Sequence, residues 1–158
     1  MPNRKLLLVL LPLLSACSSK QSSVPHVVRS VKKNELNMTF ITQSDPKDVA
    51  STIELVLFSN DSPAWKGHYK NGKKHGRFIT FFVARLVDEL KIHRIFYFEN
   101  GLANGPAYTF YENGRIDQIQ EWAKDTIVGY TYHFNVQQRL TCKQTYNSKG
   151  KMVFCKNY

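Results

Sequence analysis

The stretch YENG, Tyr111 to Gly114, decides the fold because the chain contains two close relatives of it, YKNG at Tyr69 to Gly72 and FENG at Phe98 to Gly101. An Asn-Gly pair between alternating apolar residues is the strongest local signal for a β-hairpin. The reason is that a type I′ turn needs a positive φ at both central residues, which Asn and Gly tolerate best. The sequence therefore predicts the same two-residue turn three times.

Three glycines place these turns in a longer repeat. An aromatic residue lies seven positions before each of Gly76, Gly105 and Gly129, and polar and aromatic residues alternate after each glycine. The step from Gly105 to Gly129 is 24 residues, and the step from Gly76 to Gly105 is 29 residues. Periods of this length indicate a repeat architecture. The three preceding aromatics are Tyr69, Phe98 and Trp122.

The unit reads G-x-x-x-x-F-Y-x-N-G-x-I from Gly105 to Ile116 and resembles the MORN-repeat variant of bacterial proteins, some of which are labelled antitoxins. The resemblance covers about residues 64 to 158 and implies successive hairpins that extend one twisted antiparallel sheet. Tyr108, Phe110, Tyr130, Tyr132 and Phe134 also alternate with Thr109, Tyr111, Thr131 and His133, which independently indicates strands with two distinct faces. We expect a mainly β fold, an antiparallel meander of repeated hairpins in an extended MORN-like sheet.

Two regions allow more than one structure. Phe81 to Lys91, FFVARLVDELK, contains the insertion of the longer repeat, and its spacing also allows one short amphipathic helix. Leu36 to Thr42 and Thr52 to Ser59 are rich in β-forming residues. They are expected to supply either extra strands or a layer that covers one face of the sheet.

The N-terminus has the features of a secretory signal, since Arg4 and Lys5 precede the apolar run Leu6 to Leu14. This run is far shorter than the roughly 20 apolar residues of a membrane-spanning helix. Leu14-Ser15-Ala16-Cys17 is similar to the bacterial lipobox, and the resemblance implies cleavage before Cys17 and acylation of that cysteine. The alternative is an ordinary cleaved signal peptide in which Cys17 is incidental.

These features predict a signal peptide over residues 1–16, a lipidated tether over residues 17–34 and a single β-repeat domain over residues 35–158. A first edge strand at Val27 to Val31 is the alternative for the end of the tether. Ser18 after the cysteine resembles the sorting signal of enteric bacteria for the outer membrane. We expect a lipid-anchored protein that faces the periplasm, with the inner membrane and the cell surface as alternatives.

The cysteine count predicts a disulfide. With Cys17 lipidated, Cys142 and Cys155 remain as an even pair in an oxidising compartment. A two-residue turn within Asn147 to Gly150 would place these two cysteines directly opposite each other. A type I turn with a bulge fits the same four residues and shifts the register by one.

The chain is strongly basic, with a formal charge of +10 that falls to +8 when Arg4 and Lys5 are removed. Basic residues among aromatics ordinarily suggest a nucleic acid partner, but export argues against it. We expect a membrane contact through the lipid and a protein partner in the envelope, which the charge attracts. A solvated basic face and core packing of the aromatics are the competing roles. The candidate binding residues are Lys70, Lys73, Arg77, Tyr108, Phe110, Trp122, Tyr130 and Tyr132.

Catalytic and metal chemistry are weakly indicated. His68 and His75 are expected to lie opposite each other across the Asn71-Gly72 turn, but structural zinc usually needs four ligands. Cys142 and His133 are candidates for a nucleophile and a base, although a disulfide and a strand residue explain them better. We therefore expect no enzyme activity, no cofactor and no metal.

The leading interpretation is a membrane-anchored protein-binding module. In its most specific form, which the resemblance to antitoxin-labelled repeats implies, it is an immunity protein that occludes a toxin directed at the envelope. The alternative is an envelope structural or assembly lipoprotein that binds anionic lipid, glycolipid or another envelope protein.

Overall fold

A computed structural model describes residues 28–44, 48, 50–83 and 90–158. Within these residues thirteen β-strands form one sheet, and there is no helix that could cross a membrane. The predicted mainly β, antiparallel fold is confirmed. The strands are β1 (Val28–Lys33), β2 (Thr39–Ser44), β3 (Ser51–Leu57), β4 (Pro63–Lys70), β5 (Lys73–Lys74), β6 (Gly76–Phe81), β7 (Ile92–Glu99), β8 (Leu102–Ala103), β9 (Gly105–Phe110), β10 (Ile116–Ala123), β11 (Thr126–Phe134), β12 (Leu140–Tyr146) and β13 (Met152–Asn157).

The sheet is an open meander in which the long strands lie in chain order, β1-β2-β3-β4-β6-β7-β9-β10-β11-β12-β13. The short strands β5 and β8 pair with β4 and β7. The β-rich segments before the repeats supply strands β2 and β3 of this sheet, so they are extra strands and not a covering layer. Strand β1 lies inside the segment expected to be a tether, and the fold therefore begins before Glu35.

Turns recur at multiples of twelve residues along most of the chain. The 29-residue step is the 24-residue repeat plus five residues in the connection 82–91 between β6 and β7. Phe82 N–H closes this connection by donating to the Lys91 carbonyl at 2.9 Å, and residues 84–89, where the helical alternative lay, are outside the described residues. Turns of this spacing are thus present from residue 35 onward. The turns between paired strands that recur in this way begin at Glu35, Ser59, Asn71, Asn100, Glu112, Lys124, Val136 and Ser148.

The Asn-Gly pairs at 71–72 and 100–101 form type I′ turns, as predicted, because both residues of each pair have positive φ. Lys124-Asp125, 24 residues after Asn100-Gly101, takes the same conformation with φ of 49° and 63° although neither residue is glycine. Asp125 ties this turn to the preceding repeat, since its Oδ1 accepts the Ala103 N–H at 2.6 Å. The Asp125 N–H in turn donates to the Ala103 carbonyl at 3.0 Å.

The YENG turn itself differs from its two relatives, and the prediction of a type I′ turn is wrong here. Gly114 has a φ of 80°, but Asn113 is not among the residues with positive φ. Tyr111 N–H donates to the Arg115 carbonyl at 2.8 Å, and Gly114 N–H donates to the Tyr111 carbonyl at 2.9 Å. The Asn113 side-chain Oδ1 stabilises this wider turn by accepting the Arg115 N–H at 3.0 Å. The same backbone pattern recurs at 34–38, 58–62, 135–139 and 147–151.

Directly paired residues form two unbroken rows that cross the sheet. Because the two rows occupy neighbouring positions in every long strand, they lie on opposite faces. We name them the tyrosine face and the tryptophan face. The row of the tyrosine face is Val31, Ile41, Leu55, Lys66, Ile79, Ile95, Tyr108, Ile119, Tyr132, Lys143 and Lys156. The row of the tryptophan face is Lys32, Phe40, Val56, Trp65, Thr80, Arg94, Thr109, Gln118, His133, Cys142 and Asn157.

Aromatic packing in the first half of the sheet is centred on Phe78, which is 5% exposed. Its ring centroid lies 5.5 Å from that of Tyr69 and 4.9 Å from that of Phe98, both in edge-on geometry. The Phe78 ring lies over Gly67 of the neighbouring strand, where an added Cβ would be 2.2 Å from the Phe78 Cε1. Gly67 is therefore required by the close approach of the ring.

We expect Gly67→Ala to destabilise the protein by about 1–3 kcal/mol, because the new methyl group displaces the Phe78 ring from its packed position. Urea unfolding of the single and double variants measures the effect. In a Phe78→Leu background the same Gly67→Ala change is expected to cost much less. An equal cost in both backgrounds would show that the ring contact is not the cause.

Candidate protein-binding surface

The eight candidate binding residues divide unequally between the two faces. Side chains two positions apart in a strand lie on the same face. Counting in this way from the row residues Lys66, Ile79, Tyr108 and Tyr132 places seven candidates on the tyrosine face and Trp122 on the tryptophan face. On the tyrosine face they form a cationic group and an aromatic group. Four strand spacings separate β6 from β11, or about 19 Å. The structure therefore does not bring the predicted cations and aromatics into one patch.

The cationic group lies on strands β4 to β6. Lys70 and Lys73 are directly opposite each other beside the Asn71-Gly72 turn, and both side chains are exposed. Arg77 is exposed on the same face and is directly opposite Tyr97. The Lys70 Nζ lies 3.9 Å from the Asp48 Oδ2, an exposed ion pair that contributes little to stability. These cations thus add positive charge to the exposed surface and contribute little to the stability of the fold.

The aromatic group is built around a lysine that the sequence analysis did not single out. Tyr132 lies directly opposite Lys143, and the Lys143 Nζ is 3.6 Å from the centroid of the Tyr130 ring and 5.4 Å from that of Tyr132. The two tyrosine rings are 6.0 Å apart. A cation over an aromatic ring is stabilised by the ring quadrupole, by about 0.5–1 kcal/mol at exposed sites. Tyr130 is nevertheless 44% exposed.

The last strand extends this patch to the edge of the sheet. Thr145 is directly opposite both Tyr130 on β11 and Phe154 on β13, so these three residues form a second row on the same face. Phe154 is 60% exposed. Lys156 follows Lys143 in the row, and its Nζ lies 4.8 Å from the centroid of the Tyr158 ring, which is also 60% exposed. The signal in the sequence was the run of five cations without an acid from Arg139 to Tyr158. We name Tyr130, Tyr132, Lys143, Phe154, Lys156 and Tyr158 the tyrosine-lysine patch.

Three aromatic candidate residues lie outside this patch, and one of them, Tyr108, lies in the row of the tyrosine face opposite Ile95 and Ile119. Phe110 lines a shallow groove of about 440 Å³ at one end of the strands, together with Leu90 and Ile92. Trp122 lies directly opposite Gly105, and its buried Nε1 has no hydrogen-bond partner. Trp122 therefore belongs to the tryptophan face and does not contribute to the tyrosine-lysine patch.

Cys142 and Cys155 are neighbours, but the direct pairing expected from a two-residue turn is wrong, and the alternative of a shifted register applies at this turn. Cys142 lies opposite Asn157, and Cys155 lies opposite Gln144, because the 147–151 turn and a bulge near Tyr146 each shift the register by one. The cysteines are thus diagonal neighbours, and their Sγ atoms are 2.9 Å apart. The thiols are free, and the disulfide stays a prediction.

The same geometry bears on the nucleophile and base considered from the sequence. His133 lies directly opposite Cys142. The hydrogen bond with Cys155 and burial raise the pKa of the Cys142 thiol, which favours the unreactive protonated form. Within the described part of the chain, no group of three or more metal-ligating side chains is assembled.

The tryptophan face carries a carboxylate that joins strands β3 and β4. The Glu54 Oε2 accepts hydrogen bonds from the Trp65 Nε1 at 3.2 Å and from the Tyr69 hydroxyl at 3.1 Å. Phe40 packs edge-on against Trp65 with ring centroids 6.4 Å apart. Burial, followed by the charge of Glu54 and the hydrogen bond to it, raises the pKa of Tyr69 from 10.0 to about 12. This face is thus held by its own hydrogen bonds and ring contacts.

Stability is expected to fall as the pH rises from 10 to 12. The unfolded chain releases the Tyr69 proton near pH 10.0, whereas the folded chain holds it to about pH 12. The contribution of protonated Tyr69 is therefore complete below pH 10 and is lost as the pH approaches 12. Urea unfolding at a series of pH values should show a steeper decline for the natural chain than for Tyr69→Phe, with an intermediate slope for Glu54→Gln. Parallel curves for all three proteins would contradict this assignment.

No protein-family model and no curated protein matches the sequence. Among solved structures the chain is similar to a chain of "Crystal structure of GtfA/B complex", with 14% sequence identity and a TM-score of 0.43. The match covers 75% of this chain but only 21% of the other.

Proposed function

We propose that the chain is a lipid-anchored protein of the bacterial envelope that binds another protein through its tyrosine face. The anchoring rests on Arg4, Lys5, the apolar run and the lipobox-like Leu14-Ser15-Ala16-Cys17, all of which precede the described residues. Several acyl chains at Cys17 would hold the protein at a membrane, since each buried CH₂ contributes about 0.8 kcal/mol. Ser18 supports an outer-membrane location that faces the periplasm.

The tyrosine-lysine patch is the single observation that carries the binding proposal. Among the described residues no second layer packs over this face, since all the strands belong to one sheet. Tyr130 and Phe154 therefore stay 44% and 60% exposed on a rigid framework of backbone hydrogen bonds. Exposed aromatics that are grouped and rimmed by cations are typical of protein interaction surfaces.

The chemistry of the patch suits an anionic protein partner. Tyrosine supplies a large contact area with little rotamer entropy to lose, and such residues dominate the energy of many interfaces. Lys143 and Lys156 add positive charge beside the rings, and Lys70, Lys73 and Arg77 add more on the same face. The cations would raise the rate of encounter with an acidic surface, and the aromatics would slow its release.

The most specific form of the proposal is an immunity protein. The repeats resemble bacterial MORN-repeat variants of which some are labelled antitoxins, and the tyrosine face offers a broad surface for covering a toxin. Protection would then work by occlusion, because a bound sheet blocks access to the toxin's own site. No catalytic step by this chain is needed for that mechanism.

A second candidate function is supported by the cationic group. Lys66, His68, Lys70, Lys73 and Arg77 are all exposed on the first half of the tyrosine face. A surface of this kind also attracts phosphorylated lipid or glycolipid headgroups. In that case the chain would serve as a structural or assembly lipoprotein of the envelope.

Photocrosslinking in the envelope tests the binding face. We expect a photoreactive phenylalanine derivative in place of Tyr130 to give a discrete protein adduct in growing cells, identified by mass spectrometry. The same derivative in place of Gln144, on the opposite face of the neighbouring strand, is the matched control and should give about tenfold less. Equal adducts from both positions would refute the assignment of the face. A lipid or glycolipid adduct at Tyr130 would favour the second candidate.

Replacement of Cys17 tests the anchor. Because acylation needs the thiol and cleavage follows acylation, Cys17→Ser should abolish incorporation of labelled palmitate and leave an uncleaved chain that retains residues 1–16. Cys142→Ser, which removes a different thiol, should change neither labelling nor cleavage. Undiminished labelling of Cys17→Ser, or a natural chain that retains residues 1–16, would overturn the lipoprotein assignment.

A further inference from the structure

Strand β13 ends the sheet and is exposed at every residue. It pairs with β12 on one side, and no described strand pairs with its other side. Val153 and Phe154 are 58% and 60% exposed, which is unusual for apolar residues on an unprotected edge. An edge of this kind is a template for the addition of a further strand.

The backbone hydrogen bonds show which groups of β13 are free to pair. Tyr158 N–H donates to the Thr141 carbonyl at 2.9 Å, so Tyr158 and Thr141 form a hydrogen-bonded pair. The next pair along the two strands is Asn157 opposite Cys142. Hydrogen-bonded and non-hydrogen-bonded pairs alternate in an antiparallel ladder, so neither Asn157 nor Cys155 forms backbone hydrogen bonds with the β12 residue opposite it. Both residues therefore direct their N–H and carbonyl groups away from β12, where an added strand can bond to them.

The charge of the edge specifies an acidic occupant. Lys143 and Lys156 are directly opposite each other, an arrangement of like charges that destabilises a sheet unless an anion lies nearby. A strand added beside β13 would continue the row of the tyrosine face with one residue directly opposite Lys156. A carboxylate there would pair with Lys156, while an apolar residue two positions along would contact Phe154. No acidic residue occurs between Arg139 and the C-terminus that could take this role within the chain.

The same charges argue against a second copy of this chain as the occupant. Pairing β13 with β13 would bring the lysines at 151 and 156 of both copies together. Pairing β13 with the other edge strand, β1, would bring them beside Lys32 and Lys33. Neither arrangement supplies a carboxylate.

We propose that β13 binds an extended acidic segment of the partner protein as an additional strand, with its acidic side chains beside Lys156 and its apolar side chains against Phe154. The inference rests on the proposed protein-binding function and names its mode of docking. A disulfide between Cys142 and Cys155, whose Sγ atoms are 2.9 Å apart, would hold β13 against β12 and present a fixed edge to the partner.

Two labelled peptides of about eight residues provide the probes, one alternating Glu with Val and the other alternating Lys with Val. Fluorescence anisotropy with the purified full chain should show binding of the Glu peptide and at least about tenfold weaker binding of the Lys peptide. Raising the salt concentration should weaken the binding of the Glu peptide. Equal binding of the two peptides would overturn the proposal.

Two substitutions of Asn157 separate pairing with the backbone from contact with the face. Asn157→Pro removes an N–H that points outward, a change that an edge strand tolerates, and Asn157→Ala retains that N–H. We expect about a tenfold loss of affinity for the Glu peptide in the first variant and little change in the second. Equal affinities would show that the peptide does not pair with the edge. Lys156→Glu, which does not alter the backbone, should reverse the preference so that the Lys peptide binds more tightly.

Sedimentation of the peptide-free protein addresses the competing occupant. A monomer over the concentrations used for binding is expected, whereas self-association that Asn157→Pro abolishes would assign the edge to a second copy and overturn the proposal. If the Glu peptide fails to bind but the Tyr130 crosslink to a protein is obtained, strand addition is refuted and the proposed function stands. If the peptide binds and the crosslink is absent, the edge is a docking site and the tyrosine face is not.

Discussion

A sheet of one layer has to build its core from side chains that stack along the same face, because no second layer packs against it. In the described residues this constraint is met by two rows of cross-strand pairs that run through eleven strands. Each side chain in a row contacts its partners on the two adjacent strands, which is the basic unit of sheet stability. Among the described residues Val56 and Thr131 are the largest side chains that are fully buried, and Phe78 is 5% exposed. Many other apolar side chains stay partly accessible, and the candidate binding surface is built from some of them.

The two halves of the sheet satisfy this constraint on different faces. From β2 to β7 the aromatic side chains gather on the tryptophan face, where Phe78 packs between Tyr69 and Phe98. From β9 onward the aromatic alternation lies on the tyrosine face instead, where Lys143 covers Tyr130. A lysine also lies over the rings of the first half, since the Lys74 Nζ is 4.9 Å from the centroid of Phe98. The difference is that Phe78 beneath is buried, whereas Tyr130 is 44% exposed. The second half therefore keeps its aromatics accessible, and the candidate interface is there.

The sequence predicts those parts of the fold that depend on local signals. The Asn-Gly turns at 71–72 and 100–101 and the antiparallel meander follow from residues close together in the chain, and the structure confirms them. The YENG turn was mispredicted because the Asn113 side chain can stabilise a wider turn from the same letters. The Lys124-Asp125 turn was missed because nothing in its residue types marks a positive φ.

The strand register and the composition of each surface are harder to predict from the sequence. The register depends on the sum of several one-residue shifts, and the surface composition depends on contacts between residues of different hairpins. Two separate shifts of one residue, at the 147–151 turn and near Tyr146, turn the expected direct pairing of Cys142 and Cys155 into a diagonal one. The aromatic candidates Tyr130 and Tyr132 were placed correctly as a pair, since alternation alone puts them on one face. The alternation of side chains along each strand, carried across the paired strands, also places Trp122 on the face opposite to that of Tyr130 and Tyr132. Their contact with Lys143 needed the register of another hairpin.

An open meander also has two edge strands, and nothing in its repeat prevents further hairpins or further copies from being added. Solenoid proteins solve this problem with polar terminal repeats. Here the two edge strands carry lysines, with Lys32 and Lys33 on β1 and Lys156 on β13. Because like charges at both edges repel, joining copies edge to edge would cost free energy, while the backbone groups of each edge stay available to a chain of opposite charge. The lysines of the two edge strands thus disfavour pairing with another basic edge and favour pairing with an acidic one by the same interaction.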